Sequence, residues 1–315
     1  MDIVDALISE DSGLIRASHL RENGITGGRL ESALQARALV RVHRGLYIPG
    51  RQWASLQPDA RYLLRVRAVA LASDRALVFC RETAAAIHGL PIVSPWPDTI
   101  HVATPNALGG SSQKMLTAHT HANPGPTVAI NGLTATALSR TVVDMAAYSP
   151  FVDAVSVIDA ALRRNPDSFQ TELAGELETA AIVRGARRAS RAIEFGDALA
   201  ESPGESLSRA RIHELGLVAP ELQVGFDVSG HHYVVDFYWP ETNLIGEFDG
   251  RAKYTRAEFT AGAAPEEVVW REKKREDALR AATGARVVRW TWATAMNPRS
   301  LRRLLTDGGV PPRRR

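Results

Sequence analysis

Three of the four carboxylates in the stretch VVDFYWPETNLIGEFDG (residues 234–250), Asp236, Glu247 and Asp249, stand among residues that otherwise belong in a buried sheet. If NLIGEFDG forms a strand, Leu244, Gly246 and Phe248 point to one face and Ile245, Glu247 and Asp249 to the other. If HHYVVDFYW precedes it as the partner of a hairpin turned by PETN, Asp236 comes alongside. Carboxylates crowded in this way repel one another unless a cation or basic groups neutralise them. Carboxylate oxygens are the donors that Mg²⁺ (or Mn²⁺) prefers. With Asp236 and Glu247 holding the ion and the backbone carbonyl of Phe248 as a further ligand, the chemistry is metal-assisted phosphodiester hydrolysis. The ion would lower the pKa of an attacking water and neutralise charge in the transition state. Read alone, the same acids also suit the wet face of a hairpin.

Elements on either side would build the rest of such a site. ELQVGFDV reads as a strand before the hairpin. Ahead of it, SPGESLSRARIHELGL reads as a helix with Ser202 at the N-cap, Pro203 at its first position and Glu205 in its first turn. After the acids, EEVVWREKKREDALRAATG reads as a helix ended by Gly284, with Leu279 inward and a basic run outward. On it Arg271, Lys274 and Arg275 could meet a DNA backbone, and solvated side chains are the plainer alternative. ARVVRWTW reads as a closing strand, with Trp290 and Trp292 as core on one face.

The chain of 315 residues exceeds what one hydrophobic core usually spans, so two or three domains are expected. No basic segment leading into an apolar run opens the sequence, and no stretch approaches the roughly 18 apolar residues of a membrane span, which points to a cytoplasmic protein. Cys80 is the single cysteine, so neither an internal disulfide nor a cysteine zinc site can form, and in ALVFCRET it reads as a buried strand residue. The net charge of +3 is unevenly spread. Residues 14–50 hold six arginines against two acids, and residues 264–315 hold thirteen Lys or Arg against six acids. Two basic ends suggest a polyanion as partner, with DNA foremost.

The first fifty residues read as three short helices and a hairpin: apolar positions at 3, 4, 7 and 8, then RASHLRENG, then TGGRLESALQARA capped by Thr26, then LVRVHRGLYIPG turning at Arg44 and Gly45. This is the order of a winged helix-turn-helix. Arg29 would lie at the end of the third helix that enters the major groove, and Arg41, His43 and Arg44 on the wing would face phosphates or the minor groove. Residues 51–195 alternate helices and short strands, an α+β region with a helical linker. Within it His119 and His121 share a strand face at a spacing a metal could use, without an evident third ligand, and Arg140 and Asp144 read as a structural pair.

Two resemblances attach to these residues. LVRVHRGLYIPG, ETAAAIHGLPI, DTIHVATP and NGLTATALSRTVVDMAAY, in that order, resemble the N-terminal and middle regions of AbiEi-type antitoxins of bacterial abortive-infection systems. Glu205, VVDFYWPE, NLIGEFDG and REKKREDALRAATGARVVRWTW resemble the PD-(D/E)xK restriction-endonuclease-like superfamily, in the branch of very-short-patch repair endonucleases. The second resemblance implies that Asp236, Glu247, Asp249 and Glu205 belong to a catalytic centre. In the superfamily a lysine stands two residues after the metal-binding acid, where this sequence has Asp249. Lys253, on the same strand face counted by twos, and Lys273, on the following helix, are the substitutes. The expectation is an α+β multidomain protein: a winged helix-turn-helix (1–50), an α+β middle domain (51–195) and an α/β nuclease-like domain with a central mixed sheet (196–315). Phage defence, toxin-antitoxin function or DNA repair would be the setting, with a cognate toxin or a second copy as further partner. The non-enzymatic alternative is an antitoxin or autorepressor that keeps the nuclease-like domain only for binding.

Overall fold

A computed structural model describes residues 13–104, 115–120, 125–180, 182, 184–250 and 265–314, with the backbone alone over 265–273. The chain is α+β and divides into two compact units: residues 1–90, 94–145 and 175–184, and residues 91–93, 146–174 and 185–315. The helices over 151–164 and 186–195, which the sequence assigns to the middle region, fold in the second unit.

The first unit opens with β1 (Ile15–Arg16), α1 (Ala17–Glu22), α2 (Gly27–Gln35), β2 (Leu39–His43) and β3 (Leu46–Pro49). β2 and β3 form the expected hairpin, turned at Gly45, whose φ of 77° suits a residue without a Cβ. β3 also takes β1 as an antiparallel partner, a two-residue strand too short to announce itself by alternation. Leu30 and Leu34 of α2 pack on Leu20, Leu39 and Tyr47, as their helical spacing requires. Thr26 does stand at the N-cap of α2, but its side chain makes no capping bond. The helix expected over residues 3–8 lies outside the described residues.

After α3 (Gly50–Ser55) and α4 (Pro58–Ala72) come β4 (Val78–Phe79), α5 (Arg81–Ile87), β5 (Ile100–Thr104), β6 (Leu116–Thr120), β7 (Thr127–Ile130), β8 (Leu133–Thr136) and α6 (Leu138–Tyr148). The five strands form one mixed sheet in the order β6-β5-β4-β8-β7. Asn131 and Gly132, both at positive φ, join β7 to β8, the residue pair that a tight hairpin of this twist selects. Cys80 is fully buried as expected, though it follows β4 at the N-cap of α5 rather than within the strand, and burial pushes its thiol far up, out of the range of a nucleophile.

The second unit contains α7 (Phe151–Arg164), part of α8 (Phe169–Thr179), α9 (Ala186–Phe195) and α10 (Pro203–Glu214), then β9 (Glu221–Val228), β10 (His231–Trp239), a 3-10 turn (Pro240–Thr242) and β11 (Leu244–Asp249). α11 (Pro265–Thr283) crosses to β12 (Arg286–Thr291), and α12 (Trp292–Met296) and α13 (Pro298–Gly308) follow. The sheet runs β12-β11-β10-β9, with β11 and β12 parallel and the other pairs antiparallel. A parallel pair needs a long crossover, which α11 supplies. One sheet face packs Phe237, Trp239, Leu244, Phe248 and Trp290 against α7, α10 and α13. The other packs Val235 and Ile245 against Leu279 of α11. Trp290 is core as expected, but the strand ends at Thr291, so Trp292 begins α12 and stays 38% exposed.

The Phe248 ring lies against the first turn of α10 so closely that a Cβ at Gly204 would come within 2.0 Å of it. Gly204→Ala should therefore cost about 1–3 kcal/mol by overpacking. Urea unfolding of the two proteins checks this, and equal midpoints would show that the ring moves aside freely.

Candidate functional site

The acids converge where regular pairing of β9, β10 and β11 breaks. β10 and β9 pair from His231–Val228 to Tyr238–Glu221, except at Asp236 and Gln223, and Gln223 has φ 50°. Sidedness reverses there: Val235 and Val224 belong to the α11 face, whereas Phe237 and Leu222, two residues on, belong to the α10 face. An ordinary strand would keep residues two apart on one face. A left-handed glutamine is a local strain of about 1–3 kcal/mol, of the kind that collects at functional sites.

On the other side of β10 the ladder to β11 runs through Phe237–Gly246 and ends at that pair, one position short of Asp236 and Glu247. Asp236 Oδ2 there accepts the Phe248 amide at 2.7 Å. Asp236 is therefore tied to β11 at the residue after Glu247, and the alternation of β11 sends Ile245 and Glu247 to the α11 side and Leu244 and Phe248 to the α10 side. Asp249 is the last residue of β11, half-buried and paired with Thr291 of β12.

Positive charge meets these acids from α11. Arg275 Nη2 lies 3.1 Å from Glu247 Oε1 and also donates to the Val234 carbonyl of β10. Farther along, Glu276 pairs with Arg280 at 2.6 Å and with Arg289 of β12 at 3.0 Å. Arg275, expected to meet DNA, thus turns at least part of its charge inward, while Lys274 is exposed. Lys253 lies outside the described residues, and so do the side chains of Arg271 and Lys273, whose backbone belongs to α11.

Glu205 is held differently from its expected catalytic place. It is 4% exposed, and its carboxylate accepts from Ser202 Oγ at 2.7 Å and the Glu201 amide at 2.8 Å while Ser202 Oγ accepts the Glu205 amide. That reciprocal Ser202–Glu205 set follows the Ser-x-x-Glu spacing of a capping box, with Glu205 reaching the amide of Glu201, one residue before the N-cap. Glu205 also accepts from Gln223 Nε2 at 3.0 Å, which ties the cap of α10 to the position in β9 opposite Asp236. Gln223 is the residue that sequence reasoning passes over, because a glutamine in a strand carries no local signal. Among the described residues no group of three His, Cys, Asp or Glu is arranged to hold a metal ion.

In the first unit, Arg29, Arg41 and Arg44 are exposed. Arg29 donates to the Gly24 carbonyl at 3.4 Å, and the Arg41 guanidinium lies 5.7 Å from the centre of the Tyr47 ring. A register shift between Arg41 and His43 leaves His43 half-buried, its Nδ1 without a hydrogen-bond partner. His121 lies outside the described residues. His119 meets instead His101 of β5, Nε2 to Nδ1 at 2.8 Å, with Glu82 3.8 Å from His101 Nδ1. Burial holds the His101 pKa below its ordinary value, with Glu82 opposing and Arg81 reinforcing the shift. Arg140 and Asp144 form the expected ion pair at 3.0 Å, both buried.

No protein-family profile matches the chain. It is 29% identical over 229 residues to two Mycobacterium tuberculosis proteins, the uncharacterized protein MT2308 of strain CDC 1551 and the uncharacterized protein Rv2248 of strain H37Rv, across 71% of this chain and 79% of each relative. A crystal structure of the RV2827C protein from the same organism aligns at a TM-score of 0.38 with 17% identity, over 65% of this chain and 78% of that one. No helix among the described residues is long and apolar enough to cross a membrane.

Proposed function

We propose that the protein binds DNA through its N-terminal helices and wing and hydrolyses phosphodiester bonds in its C-terminal unit with a divalent cation held by Asp236 and Glu247. The observation that carries this reading is the hydrogen bond from the Phe248 amide to Asp236, which ties one acid to the strand that carries the other, where the ladder breaks. Their oxygens suit Mg²⁺ or Mn²⁺, with the Phe248 carbonyl as a third donor and waters and phosphate oxygens completing the shell. When bound, the ion supplies an acidified water and charge neutralisation at the phosphate. The chain's own groups do the rest. The Phe248 amide orients Asp236, Arg275 orients Glu247, and the basic run of α11 receives the phosphate backbone. Lys253 or Lys273 would hold the attacking water in place of the lysine that Asp249 replaces.

DNA binding by the winged helix-turn-helix is supported by three exposed arginines, one on α2 and two on the hairpin. If each of Arg29 and Arg44 meets a phosphate, Arg29→Ala and Arg44→Ala should each reduce the salt slope of duplex binding by about 1. Fluorescence anisotropy across a potassium chloride series measures this, and unchanged slopes would remove the hairpin and α2 from the interface.

A second reading has a specific observation in its favour. The Arg275 guanidinium stands 3.1 Å from Glu247, a built-in cation beside the acid that a metal would use, and Glu205 is spent on a helix cap. On that reading the protein is a DNA-binding antitoxin or autorepressor whose nuclease-like unit only binds. Incubation of supercoiled plasmid with Mg²⁺ separates the two: nicking or cutting supports the first reading, and binding without cutting supports the second.

A further inference from the structure

The second unit carries an open cavity of about 540 Å³ that neither the acids nor the basic helix α11 touches. Its floor is aromatic: Phe151, at the start of α7, Phe195, at the end of α9, and His213, at the end of α10, lie with ring centres 4.8 to 5.6 Å apart. Its rim carries Arg188 and Arg191 of α9. The lining also carries two acids: Glu214 pairs with Arg211 at 2.6 Å, and Glu194 accepts from Ser190 Oγ at 2.7 Å and keeps its charge. Arg188 donates to the Ala147 carbonyl and Arg191 to the Arg187 carbonyl, both neutral acceptors, so with Glu214 paired to Arg211 the two arginines outweigh the one remaining acid, Glu194. Arg313 donates to His213 Nδ1 at 3.4 Å, and burial first, then Arg313, holds the His213 pKa below its ordinary value. Aromatic rings tilted 36 to 55° to one another, beside two arginines, offer a planar ring that bears an anion a ring face to stack on and cations to meet its charge.

We infer that this cavity binds a nucleotide, its base lodged against the Phe151, Phe195 and His213 cluster and its phosphate met by Arg188 and Arg191. The nucleotide could be free or part of a single strand, since the chemistry is shared. This site is independent of Asp236 and Glu247, so its success or failure leaves the catalytic reading where it stands.

Calorimetric titration of the full chain in EDTA with deoxyadenosine monophosphate tests it. Base stacking should make that ligand bind on the order of tenfold more tightly than deoxyribose 5-phosphate. Arg191→Ala, at an exposed position, should weaken it severalfold with the melting temperature unchanged, and Asp236→Ala should leave it unaltered. Displacement by a short oligothymidylate assigns the site to a strand, and retention of the mononucleotide assigns it to free nucleotide. Equal binding of the two monophosphates, or full affinity in Arg191→Ala, would overturn the inference.

Discussion

Glu247→Ala is expected to lower Mg²⁺-dependent cleavage of duplex DNA by about 10³-fold or more, because a divalent ion contributes several kcal/mol of charge stabilisation and each 1.36 kcal/mol is a factor of ten. The side chain is half-buried on the α11 face of β11 and touches Arg275 rather than the core, so its removal should spare the fold. Glu247→Gln keeps its shape and removes only the charge, and should be equally inactive. Initial rates of loss of supercoiled plasmid at saturating Mg²⁺ give the comparison, with duplex affinity measured alongside. Rates within threefold of wild type in both variants would take Glu247 out of the chemistry.

The largest stability effect is expected at Arg209→Ala. Arg209 Nη1 lies 2.7 Å from Asp159 Oδ2, Nη2 donates to the Phe195 carbonyl, and the guanidinium covers the Phe195 ring at 4.6 Å. Asp159 is fully buried. Removal of the arginine strands a buried carboxylate, which costs about 3–5 kcal/mol. For a unit of this size the melting temperature should fall by roughly 10 °C. The deficit should depend on pH with a definite sign. Burial already raises the Asp159 pKa above the ordinary 3.8, and Arg209 is the largest opposing influence. Without Arg209 the folded pKa rises further, so the folded variant holds a proton that the unfolded chain releases above 3.8. Stability then falls as pH rises through that window, and the deficit is smallest at low pH. Denaturant unfolding of both proteins between pH 3.5 and pH 7 checks the trend; a deficit that grows toward acid would mean that Asp159 is not the stranded group.

Where the sequence encodes local chemistry, it was legible. Alternation along 244–249 assigned the faces of β11, and Ser202 stands at the N-cap of α10 with Glu205 in its first turn, as read from SPGESLSRARIHELGL. What stayed hidden depends on partners distant in the chain. β1 exists because β3 accepts it, and the ring of Trp292 is exposed because the strand stops one residue earlier than its alternation implies. Glu205 shows the same limit within the site. Its place in the first turn is readable, but its commitment to Ser202, Glu201 and Gln223 depends on Gln223, eighteen residues on, adopting a left-handed backbone that nothing in ELQVGFDV announces. Likewise the reversal of sidedness at Asp236 comes from paired distortion of two strands, and a pattern read along one strand cannot contain it.

The most direct test is a time course of supercoiled plasmid incubated with the purified wild-type chain in Mg²⁺, in Mn²⁺ and in EDTA, beside Asp236→Ala under the same conditions. Nicked or linear DNA should accumulate with wild type and either metal, and neither EDTA nor Asp236→Ala should permit it. Plasmid left intact by a wild-type chain that binds duplex DNA, or cleavage undiminished in Asp236→Ala, would contradict the account.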